Sequence, residues 1–127
     1  MSLKVKCIPI YFAATMLVAQ NAPLAQEAKQ TIITVVKIIG INWFNRMEAG
    51  VKEFGQSHPS IKTSQVGPGK ADQAQQLRMI EDVIAKRPDA IAVVPLDPAA
   101  LEFVLKKALS RGIKVVKPEC LRVLQSP

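Results

Sequence analysis

An α/β fold, a doubly wound parallel sheet, is what the sequence predicts for residues 31–119, and three observations predict it. Short β-branched runs alternate with longer stretches of helical period, in the order strand, helix, strand, helix, strand, helix, strand. The first and third runs are apolar on both faces, as parallel strands covered by helices must be. Glycine or proline marks most of the junctions.

Ile32 to Ile39 is an almost unbroken apolar run, interrupted by Thr34 and Lys37 and ended by Gly40, and it predicts a first buried strand. From Trp43 to Gly55, Phe44, Met47, Val51 and Phe54 recur at spacings of three and four, which sets them on one helical face and leaves Arg46, Lys52 and Glu53 to water. Ile61 to Val66 reads as a second strand, broken by Gly67-Pro68-Gly69. Ala71 to Lys86 reads as a second helix with Leu77, Ile80, Val83 and Ile84 facing inward, stopped by Pro88. Ala90 to Val94 is a third buried strand. Asp97 then supplies a carboxylate for an N-cap, Pro98 suits the first helical position, and Leu101, Val104, Leu105, Ala108 and Leu109 share a face up to Gly112. Ile113 to Val116 begins a fourth strand. Sheets of this kind bind ligands at the carboxyl ends of their strands, so the informative residues should follow positions 39, 66, 94 and 116.

The start of the chain has a different character. Lys4 and Lys6 precede the uncharged run Cys7 to Ala19, which is too short to cross a bilayer as a helix but suits the apolar part of an export signal. The reading is a signal peptide over residues 1–25, with Ala25 the last residue removed, and a linker over 26–30. Pro23 departs from the small residue such sites prefer two positions earlier. Export places the mature chain in the periplasm.

Composition narrows the function classes. The net charge of +7 loses two units with Lys4 and Lys6, and the remaining basic residues are scattered, with no Lys/Arg block beside interleaved aromatics. That argues against nucleic acid as a partner. Of the two cysteines, Cys7 leaves with the signal and Cys120 stays unpaired, so no internal disulfide is expected. His58, the single histidine, sits in a turn-rich Gln-Ser-His-Pro-Ser stretch and reads as a loop residue. Gly67-Pro68-Gly69-Lys70-Ala71 only imitates a phosphate loop, because the first glycine is missing at its spacing and no Ser or Thr follows the lysine. Gly40 and Pro95 stand where a receiver domain would need carboxylates. No nucleophile and base pair is evident, and the reading is of a protein that is not an enzyme and needs no cofactor or metal.

Val36-Lys37-Ile38-Ile39-Gly40-Ile41-Asn42-Trp43-Phe44, followed by Met47-Glu48-Ala49-Gly50-Val51, resembles the opening of type I periplasmic sugar-binding proteins, with the ribose/autoinducer-2 branch most similar. Gln65 to Pro68, Gln75 to Ile84 and Asp89 to Pro98 resemble the second and third β-α units of that family, and Lys106 to Val116 the next helix and strand. The resemblance covers about residues 31 to 119 in register. It implies the N-terminal lobe of a soluble receptor that captures a small sugar-like ligand, does no chemistry on it, and presents it to an inner-membrane ABC permease.

The same resemblance implies ligand contacts at Lys37, Asn42, Trp43, Phe44 and Glu119. An ammonium at Lys37 can donate up to three hydrogen bonds to hydroxyl or carbonyl oxygens, although a lysine at a strand edge with a solvated head is the competing reading. Trp43 and Phe44 can lay an aromatic face against a sugar ring; Phe44 fits the helix core with Met47 and Val51 equally well. Asn42 suits the cleft rim or an ordinary turn. Glu119 can accept two hydroxyl hydrogens, but Lys117 and Pro118 replace the family's usual Thr and aromatic or His. Val94 stands where ribose receptors carry an Asn, which removes an amide contact.

Full members of the family have a second lobe, whereas here Cys120 to Pro127 reads as an unstructured tail unrelated to the family continuation. The expectation is a truncated and impaired receptor, with the tail arising from a frameshift or premature stop. Two alternatives stand beside it. The effector-binding domain of a LacI-type regulator shares the fold but would begin with a helix-turn-helix and stay in the cytosol. A remnant that only self-associates would do so through its exposed sheet surface or through Cys120.

Overall fold

The computed structural model describes residues 29–117 together with the backbone of 122–124. The expected signal, linker start, Glu119 and both cysteines lie outside the described residues.

The chain order is β1 (Gln30–Val35), α1 (Asn42–Ser57), β2 (Ile61–Val66), α2 (Gln73–Ala85), β3 (Ala90–Val93), α3 (Pro98–Ser110), β4 (Lys114–Lys117) and β5 (Arg122–Leu124). They form one sheet in the order β2-β1-β3-β4-β5. The first four strands are parallel, with Val35 opposite Val66 and Val93, and Ile91 opposite Val115. The strand order reverses direction after β2, as a doubly wound sheet requires, so α1 covers one face and α2 and α3 the other.

The alternation of side chains along each strand divides the core accordingly. Ile33, Val35, Ile91, Val93 and Val115 point to the α2/α3 side, where they pack with Ile80, Val83, Ile84, Leu101, Val104, Leu105 and Ala108. The residues between them, Ile32, Thr34, Ala92 and Val116, face the α1 side. Among the described residues the buried apolar cluster there consists of Phe44, Val36 and Val94, with Ile38 and Met47 half-buried against it. Two side-chain hydrogen bonds fasten α1 to β2: Thr63 Oγ1 donates to the Val51 carbonyl at 2.7 Å, and Gln65 Nε2 to the Phe44 carbonyl at 2.9 Å.

Two expectations need correction. The first strand ends at Val35, not Ile39, because the chain turns away through Gly40, whose φ of +83° suits glycine. Val36 to Ile39 remain apolar because Val36 and Ile38 pack beneath α1 from the loop. The tail is not wholly unstructured either. Arg122–Leu124 pairs antiparallel with β4, with Lys117 opposite Arg122 and Val115 opposite Leu124. The open edge of β4 presents unpaired N–H and C=O groups, and a returning segment can satisfy them.

Candidate functional site

The carboxyl ends of β1, β2 and β3 are stitched together by backbone hydrogen bonds that continue past the strands. Val36 N–H donates to the Val66 carbonyl, Ile39 N–H to the Pro68 carbonyl and Val94 N–H to the Val35 carbonyl, each at 2.9 Å. Gly67 permits this closeness, since a Cβ there would stand 2.6 Å from Val36 Cγ2 and 3.0 Å from the Val36 carbonyl oxygen. The β1–α1 loop is therefore held against the end of β2.

That loop and the first turn of α1 bring three of the expected contact residues to one edge. Lys37 lies two residues beyond the end of β1 and is half-buried, so it is a loop lysine and not a charge within a strand. Asn42 opens α1 and is exposed. Trp43 follows it, with 71% of its surface accessible. Phe44 goes elsewhere. Successive helical residues point about 100° apart, and its ring is 2% exposed, packed with Val36 and Val94 in the core. The expectation that Phe44 presents a face to ligand is corrected on that ground. Val94 is equally buried, so position 94 contributes packing and no polar group to the edge.

Ile39, Ile41 and Leu96, each about two-fifths exposed, accompany Trp43 on the loops after β1 and β3 and give this edge an apolar character. α2 and α3 start here with aspartate caps. Asp72 Oδ1 accepts from Gln75 N–H at 3.0 Å, and Asp97 Oδ1 accepts from Ala99 N–H at 2.9 Å, which leaves Asp97 in the capping role read from sequence. Ile41, the residue before α1, provides no side-chain cap, so the first turn of the helix offers backbone donors beside Asn42 and Trp43.

Sequence reasoning missed Gln76. It shares a helical face with Ile80, Val83 and Ile84, four, seven and eight residues on, and it is fully buried. A polar residue on an apolar stripe was the signal that could have found it. Gln76 Nε2 donates to the Val94 carbonyl at 2.8 Å and its Oε1 accepts from Leu96 N–H at 3.0 Å. One turn earlier, Gln73 Oε1 accepts from Asp97 N–H at 3.1 Å. Gln65 Oε1 and Gln73 Nε2 are buried with no partner among the described residues. His58 caps α1 and stacks on Phe54 with ring centroids 4.1 Å apart, at the end of α1 away from this edge. Among the described residues no cluster of three or more His, Cys, Asp or Glu could hold a metal, and no helix is long and apolar enough to cross a membrane.

Topology and edge together describe one α/β lobe with a doubly wound sheet, in which Lys37, Asn42, Trp43 and Leu96 gather on the loops after β1 and β3. The chain belongs to the periplasmic binding protein domain family, whose model matches residues 32–117. It is 35% identical over 91 residues to a D-ribose/D-allose-binding protein of Pseudomonas aeruginosa, a match that spans 69% of this chain and 28% of that protein. Among solved structures it resembles an ABC transporter periplasmic solute-binding protein from Actinobacillus succinogenes with bound D-allose. The TM-score is 0.65 and the identity 28%, over 70% of this chain and 31% of that one. LsrB from Clostridium saccharobutylicum in complex with AI-2 shares the fold at a TM-score of 0.63 and 24% identity, over 67% of this chain and 26% of that one. The chain thus spans less than a third of the length of these relatives.

Proposed function

We propose that this lobe binds a monosaccharide of the D-ribose or D-allose kind, as part of the periplasmic receptor of an inner-membrane ABC importer, and does no chemistry on it. The observation that carries the reading is the placement of Trp43. An indole 71% exposed at the carboxyl edge of a doubly wound sheet, with α1 uncapped beside it, is suited to the C–H face of a sugar ring. Lys37 and Asn42 would supply hydrogen bonds to hydroxyls, and Glu119 a carboxylate from the segment after β4. The 35% identity to a D-ribose/D-allose-binding protein supports the ligand class. Export through residues 1–25 to the periplasm belongs to the same proposal. A single lobe taken by itself touches a ligand on one side only, so these 127 residues titrated alone should bind weakly.

Trp43 is the only tryptophan in the sequence, which makes its fluorescence a reporter of this edge alone. The expected result is a saturable change in emission when the full chain is titrated with D-allose or D-ribose in the millimolar range. In Lys37→Met the midpoint should move up about tenfold, the equivalent of one charge-assisted hydrogen bond. A flat response to both sugars from a chain shown to be folded by circular dichroism would overturn the reading.

A further inference from the structure

The third strand ends at Val93, yet the order of the backbone does not end there. Pro95 has no N–H to offer a neighbouring strand. On either side of it the Val94 carbonyl and the Leu96 N–H are both taken by the single amide of Gln76, at 2.8 and 3.0 Å. In a parallel ladder one residue of a strand donates to the carbonyl before, and accepts from the N–H after, the residue opposite. Gln76 reproduces that pattern around Pro95 with a side chain. Its amide replaces a neighbouring strand for one further residue, and it comes from a helix on the α2/α3 face.

The arrangement continues along the loop. Gln73, on the same side of α2 one turn earlier, accepts from Asp97 N–H at 3.1 Å. Asp97 in turn caps α3 through Ala99 and Ala100. Gln76 is 0% exposed among apolar neighbours, a position where leucine would pack without the cost of desolvating an amide. The buried amide therefore has a use beyond packing, and its two bonds show which loop it serves.

We propose that Gln76 is a positioning residue of the ligand edge, assisted by Gln73: together they hold Pro95 to Asp97 in the conformation that places Leu96 on the rim and starts α3. This rests on the reading that the strand ends form the sugar site, but the loop itself can be tested without any sugar.

The test compares the full chain with Gln76→Met, which keeps the length and loses both bonds, and Gln76→Glu, which keeps an acceptor for Leu96 and loses the donor to Val94. Amide hydrogen exchange is read by NMR at Leu96 and Asp97, with Ile91 and Val93 as references in β3. Exchange at Leu96 should accelerate about tenfold or more in Gln76→Met beyond any change at the references, and less in Gln76→Glu. Gln73→Ala should accelerate Asp97 and spare Leu96, and it serves if the Gln76 variants fail to fold, because Gln73 is not fully buried. A uniform rise across Leu96, Asp97, Ile91 and Val93 would reduce Gln76 to a general stabiliser and overturn the proposal, as would unchanged exchange at Asp97 in Gln73→Ala. D-Allose titration of the same variants on Trp43 fluorescence should show the midpoint moved up in Gln76→Met. If the unaltered chain ignores D-allose while the exchange pattern holds, the sugar reading fails and the role of Gln76 in the loop stands.

Discussion

The two faces of the sheet are built to different standards. On the α2/α3 side thirteen buried residues form one continuous cluster, fed by two helices and three strands. On the α1 side three buried residues, Val36, Phe44 and Val94, gather near the carboxyl edge. Further along α1 a groove of about 340 Å³ remains between helix and sheet, lined by Ile32, Thr34, Met47, Gly50, Val51, Phe54 and Thr63. Val116, which faces this side from β4, is 38% exposed. Hydrophobic stabilisation follows apolar area removed from water, so the α2/α3 face should carry most of the stability. The α1 face gathers its buried cluster beside the β1–α1 loop, and further along the helix the hydrogen bond from Thr63 to the Val51 carbonyl holds it to β2.

Truncating one side chain on each face is the strongest way to break this comparison. Leu105 is 1% exposed within the larger cluster, and Leu105→Ala should cost about 3 kcal/mol through lost transfer energy and the cavity left behind. Val51 is half-buried beside an existing groove, and Val51→Ala should cost roughly 1 kcal/mol or less because little packing is lost. Urea unfolding of the full chain measures both. Equal costs would mean that α1 is as firmly seated as α2 and α3.

Two glycines of α1 sharpen the same contrast at smaller amplitude. Gly50 lines the groove, and a Cβ built there meets nothing within 4 Å. Gly50→Ala should therefore stabilise by about 0.5 to 1 kcal/mol, the ordinary gain of alanine over glycine inside a helix. Gly55 is different. Its Cβ would collide with Thr63 Oγ1, the hydroxyl that donates to the Val51 carbonyl. Gly55→Ala should destabilise by about 1 kcal/mol, as that bond is displaced. Thermal melts of the two variants should move in opposite directions, and a loss in both would mean that the groove closes in solution.

The contrast between the faces also explains what could be read from sequence. The periods of α2 and α3 were legible because each buries a full stripe: Ile80, Val83 and Ile84 in one, and Leu101, Val104, Leu105 and Ala108 in the other. α1 was found from Phe44, Met47, Val51 and Phe54, but the first is core and the last is 43% exposed, so the period overstated how deeply this helix sits. The end of β1 is not legible in the sequence because Val36 is as buried in a loop as Val35 is in the strand, and hydrophobicity records burial and not hydrogen bonding. Of the candidate site, Lys37, Asn42 and Trp43 were brought to one edge. Gln76 does not stand out in the sequence because its two backbone partners lie some twenty residues away. β5 was illegible for a related reason: its pairing satisfies the open edge of β4, a demand that exists only once the sheet is assembled.

The smallest effect concerns the outer side of α3, which tests whether surface charge adds anything to what the inner side supplies. Glu102 and Lys106 stand one turn apart with Nζ to Oε1 at 2.7 Å, and both side chains are mostly in water. The Lys106 ammonium, through its hydrogen bond and then its charge, holds the Glu102 carboxyl below the usual carboxylate range, with a lesser contribution from the charge on Lys117. A carboxylate whose pKa is lowered on folding contributes stability at pH values above its unfolded pKa. That contribution is lost as pH falls through the folded value. Wild type should accordingly melt above Glu102→Gln at pH 7 and low salt, by about 1 °C or less, because solvent screens an exposed pair. The difference should vanish in strong acid and in molar salt. A larger shift that survives high salt would mean that the start of α3, where Asp97 caps and Leu101 is buried, depends on surface charge more than on its inner face.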